Sequence, residues 1–228
     1  MEVEECINEK NADFYYNKVA NELTVKLVAA NSGNNIWHVR YKDGDPNVYI
    51  FCGDNFPDVE CFTHEILHLY LFKNGFSTFF LDHIQYYNKL SITLLNPKET
   101  LDGIANAISH YKMLPLFTNE LNMQKEIFFP NHIRYINDQD ITRLKNINAY
   151  PSQEIFTNFI RHYFNARYYF SDILNAEYNN YLNELSVINN ELYSILDGVC
   201  NEWEKNINEY DNVNFFTSLY NQLEEYLQ

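Results

Sequence analysis

The stretch His64-Glu65-Ile66-Leu67-His68 constrains this chain more than any other. It sits in a segment, 56 to about 73, whose pattern predicts one helix. Pro57 falls in the first turn, where a missing N–H costs nothing, with Asn55 ahead of it as the cap and Lys73 and Asn74-Gly75 as the stop. Side chains four apart on a helix leave the same face one turn apart, so His64 and His68 can hold one metal ion together. Glu65 lies beside them, placed to take a proton from metal-bound water, which is the chemistry of a zinc hydrolase. Shuffling a chain with seven histidines would produce HExxH only ~0.015 times. Phe62, Ile66, Leu67, Leu69, Tyr70, Leu71 and Phe72 make the helix apolar nearly all round and predict its burial. Two histidines and a glutamate in a buried helix are costly unless they are paired or bound to metal. The plainer alternative is a set of solvated or hydrogen-bonded core residues.

The whole chain sets outer bounds. Its 228 residues suit one substantial domain, or a catalytic domain with a helical extension. Hydrophobic content of 46% and aromatic content of 17% predict a folded protein. A net charge of −15 works against a nucleic-acid backbone as partner, while allowing a basic one. Met1-Glu2-Val3-Glu4-Glu5 lacks the basic start and apolar core of a signal peptide, and no apolar run reaches the length of a membrane span. Cys6, Cys52, Cys61 and Cys200 are scattered with no CxxC pair, as expected for reduced thiols. The expectation is a cytoplasmic protein with no membrane contact; its oligomeric state is left open.

Taken in order, residues 2 to about 22 look helical, and Leu23–Leu27 alternates in a way that fits a strand or more helix. Strand candidates at 36–41 and 47–52, joined by a turn at 42–46, suggest an antiparallel pair leading into the metal helix. Strand 47–52 is either an ordinary internal strand or an edge that an extended peptide could join. Asn96-Pro97 opens a helix to about Leu114, stopped by Pro115. Its apolar stripe is Leu101, Ile104, Ala105 and Ile108, and Asp102, Asn106 and His110 form a separate polar stripe. Such a stripe can supply a third metal ligand and a hydrogen bond to a ligand, or be a solvated face. Beyond it the chain reads as helical: a helix from Pro151-Ser152, a heptad-like run from Leu174 to Val199 read as one long packed helix, and a last helix through Phe215, Leu219 and Leu223.

His64-Glu65-Ile66-Leu67-His68 resembles the signature of the zincin metallopeptidases. Ala105-Asn106-Ala107-Ile108-Ser109-His110-Tyr111-Lys112-Met113-Leu114-Pro115 is loosely similar to a second signature, that of the intracellular ImmA/IrrE-type proteins, roughly E-x-x-A-N-x-F-A-x-x-L-L-M-P. The resemblance spans about sixty residues, from strand 47–52 to Pro115. It implies an α+β fold: a small zincin-like core of short antiparallel sheet and metal-binding helices over 1–135, with a mainly helical extension over 136–228. The family's ligand glutamate would fall at Asp102, one methylene shorter here. His110 is the other candidate for third ligand, and imidazole is a commoner zinc ligand than aspartate. The two are about 12 Å apart along a helix, so they cannot share an ion. The resemblance implies Zn²⁺ on His64 and His68 with Glu65 as general base and points to Asp102 as third ligand; ligand chemistry favours His110 narrowly over Asp102, with Asn106 behind the ligands.

The function expected is zinc-dependent hydrolysis of a peptide bond in a specific intracellular protein, so the partner is a protein or peptide substrate. The alternative is a zincin-fold interaction or scaffold protein without catalysis, acting through its acidic helical C-terminal region.

Overall fold

The computed structural model describes residues 1–29, 37–41, 44–76, 84, 86–124, 138–145, 152–169, 175–207 and 213–228. Within them the protein is α+β and mostly helical, with one three-stranded sheet. The chain divides into two compact units, Met1–Asn74 with Lys112–Pro130, and Gly75–Tyr111 with Asn131–Gln228.

The first unit holds the sheet. Strand β1 (Thr24–Ala29) pairs in parallel with β3 (Asn47–Cys52), and β2 (His38–Arg40) pairs with β3 antiparallel, giving the order β1-β3-β2. The ambiguous 23–27 stretch is thus a strand, and the expected antiparallel hairpin is present as β2 and β3. The sheet is mixed, however, and β3 is its internal strand. Val48, Ile50 and Cys52 alternate into the core at 2% exposure or less, and the backbone of β3 is paired on both sides. Among the described residues β1 and β2 are the outer strands, and β2 is the open one beside the helix that carries His64 and His68.

The N-terminal segment is not the single helix its apolar spacing suggested. A 3-10 turn (Val3–Cys6), one short helical turn (Ala12–Phe14) and a π-helical turn (Tyr15–Val19) follow one another. Asparagines divert the backbone, because side-chain oxygens there compete with helical hydrogen bonds. The Asn8 Oδ1 accepts the Lys10 N–H at 2.9 Å, and the Asn11 Oδ1 accepts the Asn8 N–H at 2.9 Å. The buried Asn11 amide donates to the Cys6 carbonyl at 3.1 Å and to Thr63 Oγ1 at 2.9 Å, tying this segment to the metal helix.

That helix, α1, spans Val59–Lys73. It begins later than the sequence suggested because Asp58, not Asn55, is the cap: its Oδ1 accepts the Cys61 N–H at 2.8 Å. Asn55 acts one step back. Its amide donates to Asp58 Oδ2 at 2.6 Å, and its oxygen accepts from Trp37 Nε1 at 2.8 Å. Residues 56 and 57 therefore lie before the helix. Lys73 closes the other end, reaching the Lys18 carbonyl at 3.0 Å and Glu22 at 2.9 Å. Phe62, Ile66, Leu67 and Leu69 are fully buried, as the apolar wrap predicted.

The second unit is helical. Helices α2 (Asn88–Thr93), α3 (Pro97–Pro115), α4 (Asp138–Leu144), α5 (Gln153–Phe164), α6 (Asn175–Ile188), α7 (Asn190–Lys205) and α8 (Val213–Tyr226) follow in order, and the division between the units falls inside α3. Pro115 does not end the helical path, which continues as a π-helical turn over Leu116–Glu120. Ser152 caps α5 as its sequence suggested, its Oγ accepting the Ile155 N–H at 3.2 Å. The single long helix expected over 174–199 is broken. Asn189 ends α6 and caps α7, accepting the Leu192 N–H at 3.0 Å and donating to the Tyr226 hydroxyl at 2.8 Å. The apolar spacing survives the break with one shift: Tyr181, Leu185, Ile188, Leu192 and Val199 are buried as the spacing predicts, but Leu196 takes the buried place expected of Ile195, which is half-buried. Arg167 pins the same region, bonding Asp197 at 2.6 Å, Glu204 at 2.8 Å and Asn201 at 2.7 Å.

Candidate metal centre

Helix α1 sets the first two side chains. His64 and His68 leave one face a turn apart, with ring centres 5.1 Å from each other and planes at 62°. His110, on α3, is 2% exposed. One ligand atom from each of His64, His68 and His110 lies within 4.8 Å of the other two. The sequence paired His64 with His68 from spacing alone, and the structure adds His110 to them.

Do these residues suit a metal ion? Tetrahedral zinc at about 2.0–2.1 Å from nitrogen places ligand atoms about 3.3 Å apart. The separations in the group therefore have to close by at most about 1.5 Å, which is within the reach of side-chain rotations. The protonation state fits as well. Burial pushes the His68 imidazole down to about 4, so it is neutral at physiological pH, the form that binds metal. The set could thus hold a metal ion.

Glu65 is buried on the same helix. It is 6% exposed, and burial pushes its carboxyl up to about 8 even though the Val39 backbone N–H donates to it and pulls the other way. Val39 is the middle residue of β2, so the carboxylate sits against the strand with the open side. No sequence signal marked Val39. Its contribution is a backbone N–H, which any residue but proline supplies.

The other expected residues separate clearly. Asp102 is exposed on α3, two turns from His110, and is not in the group. Asn106 is half-buried one turn before His110, and its backbone carbonyl accepts from Ser109 Oγ at 2.8 Å. Tyr111 packs its ring on Tyr168 and Trp203, with centres 5.0 and 6.1 Å away. His83 and His132, which the sequence offered with Tyr111 as candidates to stabilise an oxyanion, lie outside the described residues. All four cysteines are free thiols. Partial burial, then the Asp58 charge, push the thiol of half-buried Cys61 up to about 12, which suits a structural thiol and not a thiolate ligand.

Comparison with protein-family models, with curated proteins and with solved structures found no match to this chain. Among the described residues, no helix is long and apolar enough to cross a membrane.

Proposed function

We propose that the protein is a zinc-dependent metallopeptidase of the zincin kind that hydrolyses a peptide bond in a specific protein. The observation that carries this reading is the approach of His64, His68 and His110 to within 4.8 Å, with Glu65 next to the first of them in sequence. A zinc ion held there would acidify water and polarise a carbonyl.

The remaining chemistry belongs to this chain's own side chains. Burial keeps His68 neutral and available as a donor. In the metal-free protein the Glu65 carboxyl, near 8, holds its proton at neutral pH; a cation on the histidines would favour its carboxylate, which could then take a proton from water and return it to a leaving amine. The Val39 N–H fixes its orientation through one carboxylate oxygen. β2 offers the open sheet side beside Glu65 along which an extended substrate can pair, the role that 47–52 cannot fill from the middle of the sheet.

The test is hydrolysis of an unbiased peptide library followed by mass spectrometry. Zinc-loaded protein is expected to cut at a restricted set of sites, and Glu65→Gln to lose at least about 100-fold in rate while keeping its fold and metal. Cleavage that persists in Glu65→Gln, or that no chelator suppresses, would remove the peptidase reading.

A further inference from the structure

The sheet has a second face, away from the core. β3 turns Asn47, Tyr49 and Phe51 outward, and the register sets Lys26 and Arg40 on either side of Tyr49, and Val28 and His38 on either side of Phe51. Three basic side chains therefore surround two aromatic rings. The Lys26 ammonium stands 5.7 Å from the Tyr49 ring centre, and the Arg40 guanidinium 4.8 Å from that of Phe51. His38 stacks on Phe51 with centres 4.8 Å apart and planes at 3°. Lys26 and Arg40 are exposed, as is Tyr49 at 39%.

This face is basic in an acidic chain. The chain has 31 acidic residues to 16 Lys and Arg, and among the described residues few of those cations stand beside a carboxylate. Lys73, Arg161 and Arg167 each hold one. Among the described residues, neither Lys26 nor Arg40 does, and the run 23–42 that carries them contains no Asp or Glu. Burial, and then the Arg40 charge, hold His38 below its ordinary range, as expected where no carboxylate offsets the guanidinium. Among the described residues the partners of these two cations are the π faces, a weaker compensation than a carboxylate supplies.

We infer that this outer sheet face docks an extended acidic segment of a partner protein, whose carboxylates pair with Arg40 and Lys26. The two cations stand two strand spacings apart, about 9.6 Å. Acidic side chains at alternate positions of an extended segment leave its backbone about 7 Å apart on one side, and side-chain length covers the difference. A single-stranded nucleic acid fits less well. It binds such faces by stacking bases on open rings, and here Lys26, Arg40 and His38 already lie on the rings. The face lies wholly within the first unit, and its use does not depend on hydrolysis at the metal centre.

Fluorescence anisotropy on the full chain at low salt tests this with three labelled probes: a Glu/Ser peptide, a matched Lys/Ser peptide and an oligo-dT strand. The Glu/Ser peptide is expected to bind tightest despite the negative charge of the protein. Lys26→Ala with Arg40→Ala should weaken it about tenfold, or roughly 1.4 kcal/mol, with the circular dichroism spectrum unchanged. Arg40→Lys, which keeps the charge, should retain binding and guards against loss of fold in the double variant. Glu65→Gln should bind as the wild type does, which separates this site from the metal centre. No preference for the acidic peptide, equal binding by the double variant, or tighter binding of oligo-dT would each overturn the inference.

Discussion

Glu65 carries the strongest conflict in the first unit: an acid buried to 6% exposure with one backbone N–H in view of its carboxylate. The conflict has a measurable sign. Its carboxyl titrates near 8 when folded and near 4.5 when unfolded, so between those values the folded state binds the extra proton. Stability must then fall as pH rises through that window. His68 opposes it only lower down, since its folded value near 4 lies under the unfolded 6.5, and stability from that group rises between the two. Above pH 6.5 the Glu65 effect dominates. Urea unfolding of zinc-free protein at pH 6.5 and at pH 8 should show a loss of about 1.5 kcal/mol relative to Glu65→Gln. Parallel behaviour of the two proteins would mean that Glu65 is solvated in the metal-free state.

At the scale of elements, short polar side chains decide where the helices begin and end. Asp58 caps α1 and is itself held by Asn55. Asp58→Ala should cost about 1 kcal/mol in chemical unfolding, whereas Asp58→Asn, which keeps a cap oxygen, should cost less. Equal losses would show that the side-chain charge, and not the cap bond, matters. The apolar spacing of α1, α3, α5 and α8 was legible in the sequence because it is written into each element's own periodicity. What spacing could not show was competition from asparagine. Asn8 and Asn11 break the N-terminal segment, and Asn189 splits the 174–199 run and shifts its buried stripe from Ile195 to Leu196. The place of β3 was hidden for another reason: a strand with one buried face alternates in the same way whether it is internal or at an edge. Only its pairing with β1, which comes some twenty residues earlier, settles the matter.

At the scale of the whole molecule, the site joins residues that sequence can link only in part. His64 and His68 were readable as a pair because four residues make one helical turn. The choice between His110 and Asp102 was not, since both lie on one polar stripe of α3 and differ only in which turn meets the histidines of α1. The structure groups His110 with them and leaves Asp102 exposed. Metal content measures that choice directly. Elemental mass spectrometry on purified wild type, His68→Ala, His110→Ala and Asp102→Ala, each supplied with zinc and checked for fold by circular dichroism, should find about one zinc per chain in wild type and in Asp102→Ala. It should find none in His68→Ala or His110→Ala. A wild type that holds no zinc, or a His110→Ala protein that keeps it while Asp102→Ala loses it, would contradict the account.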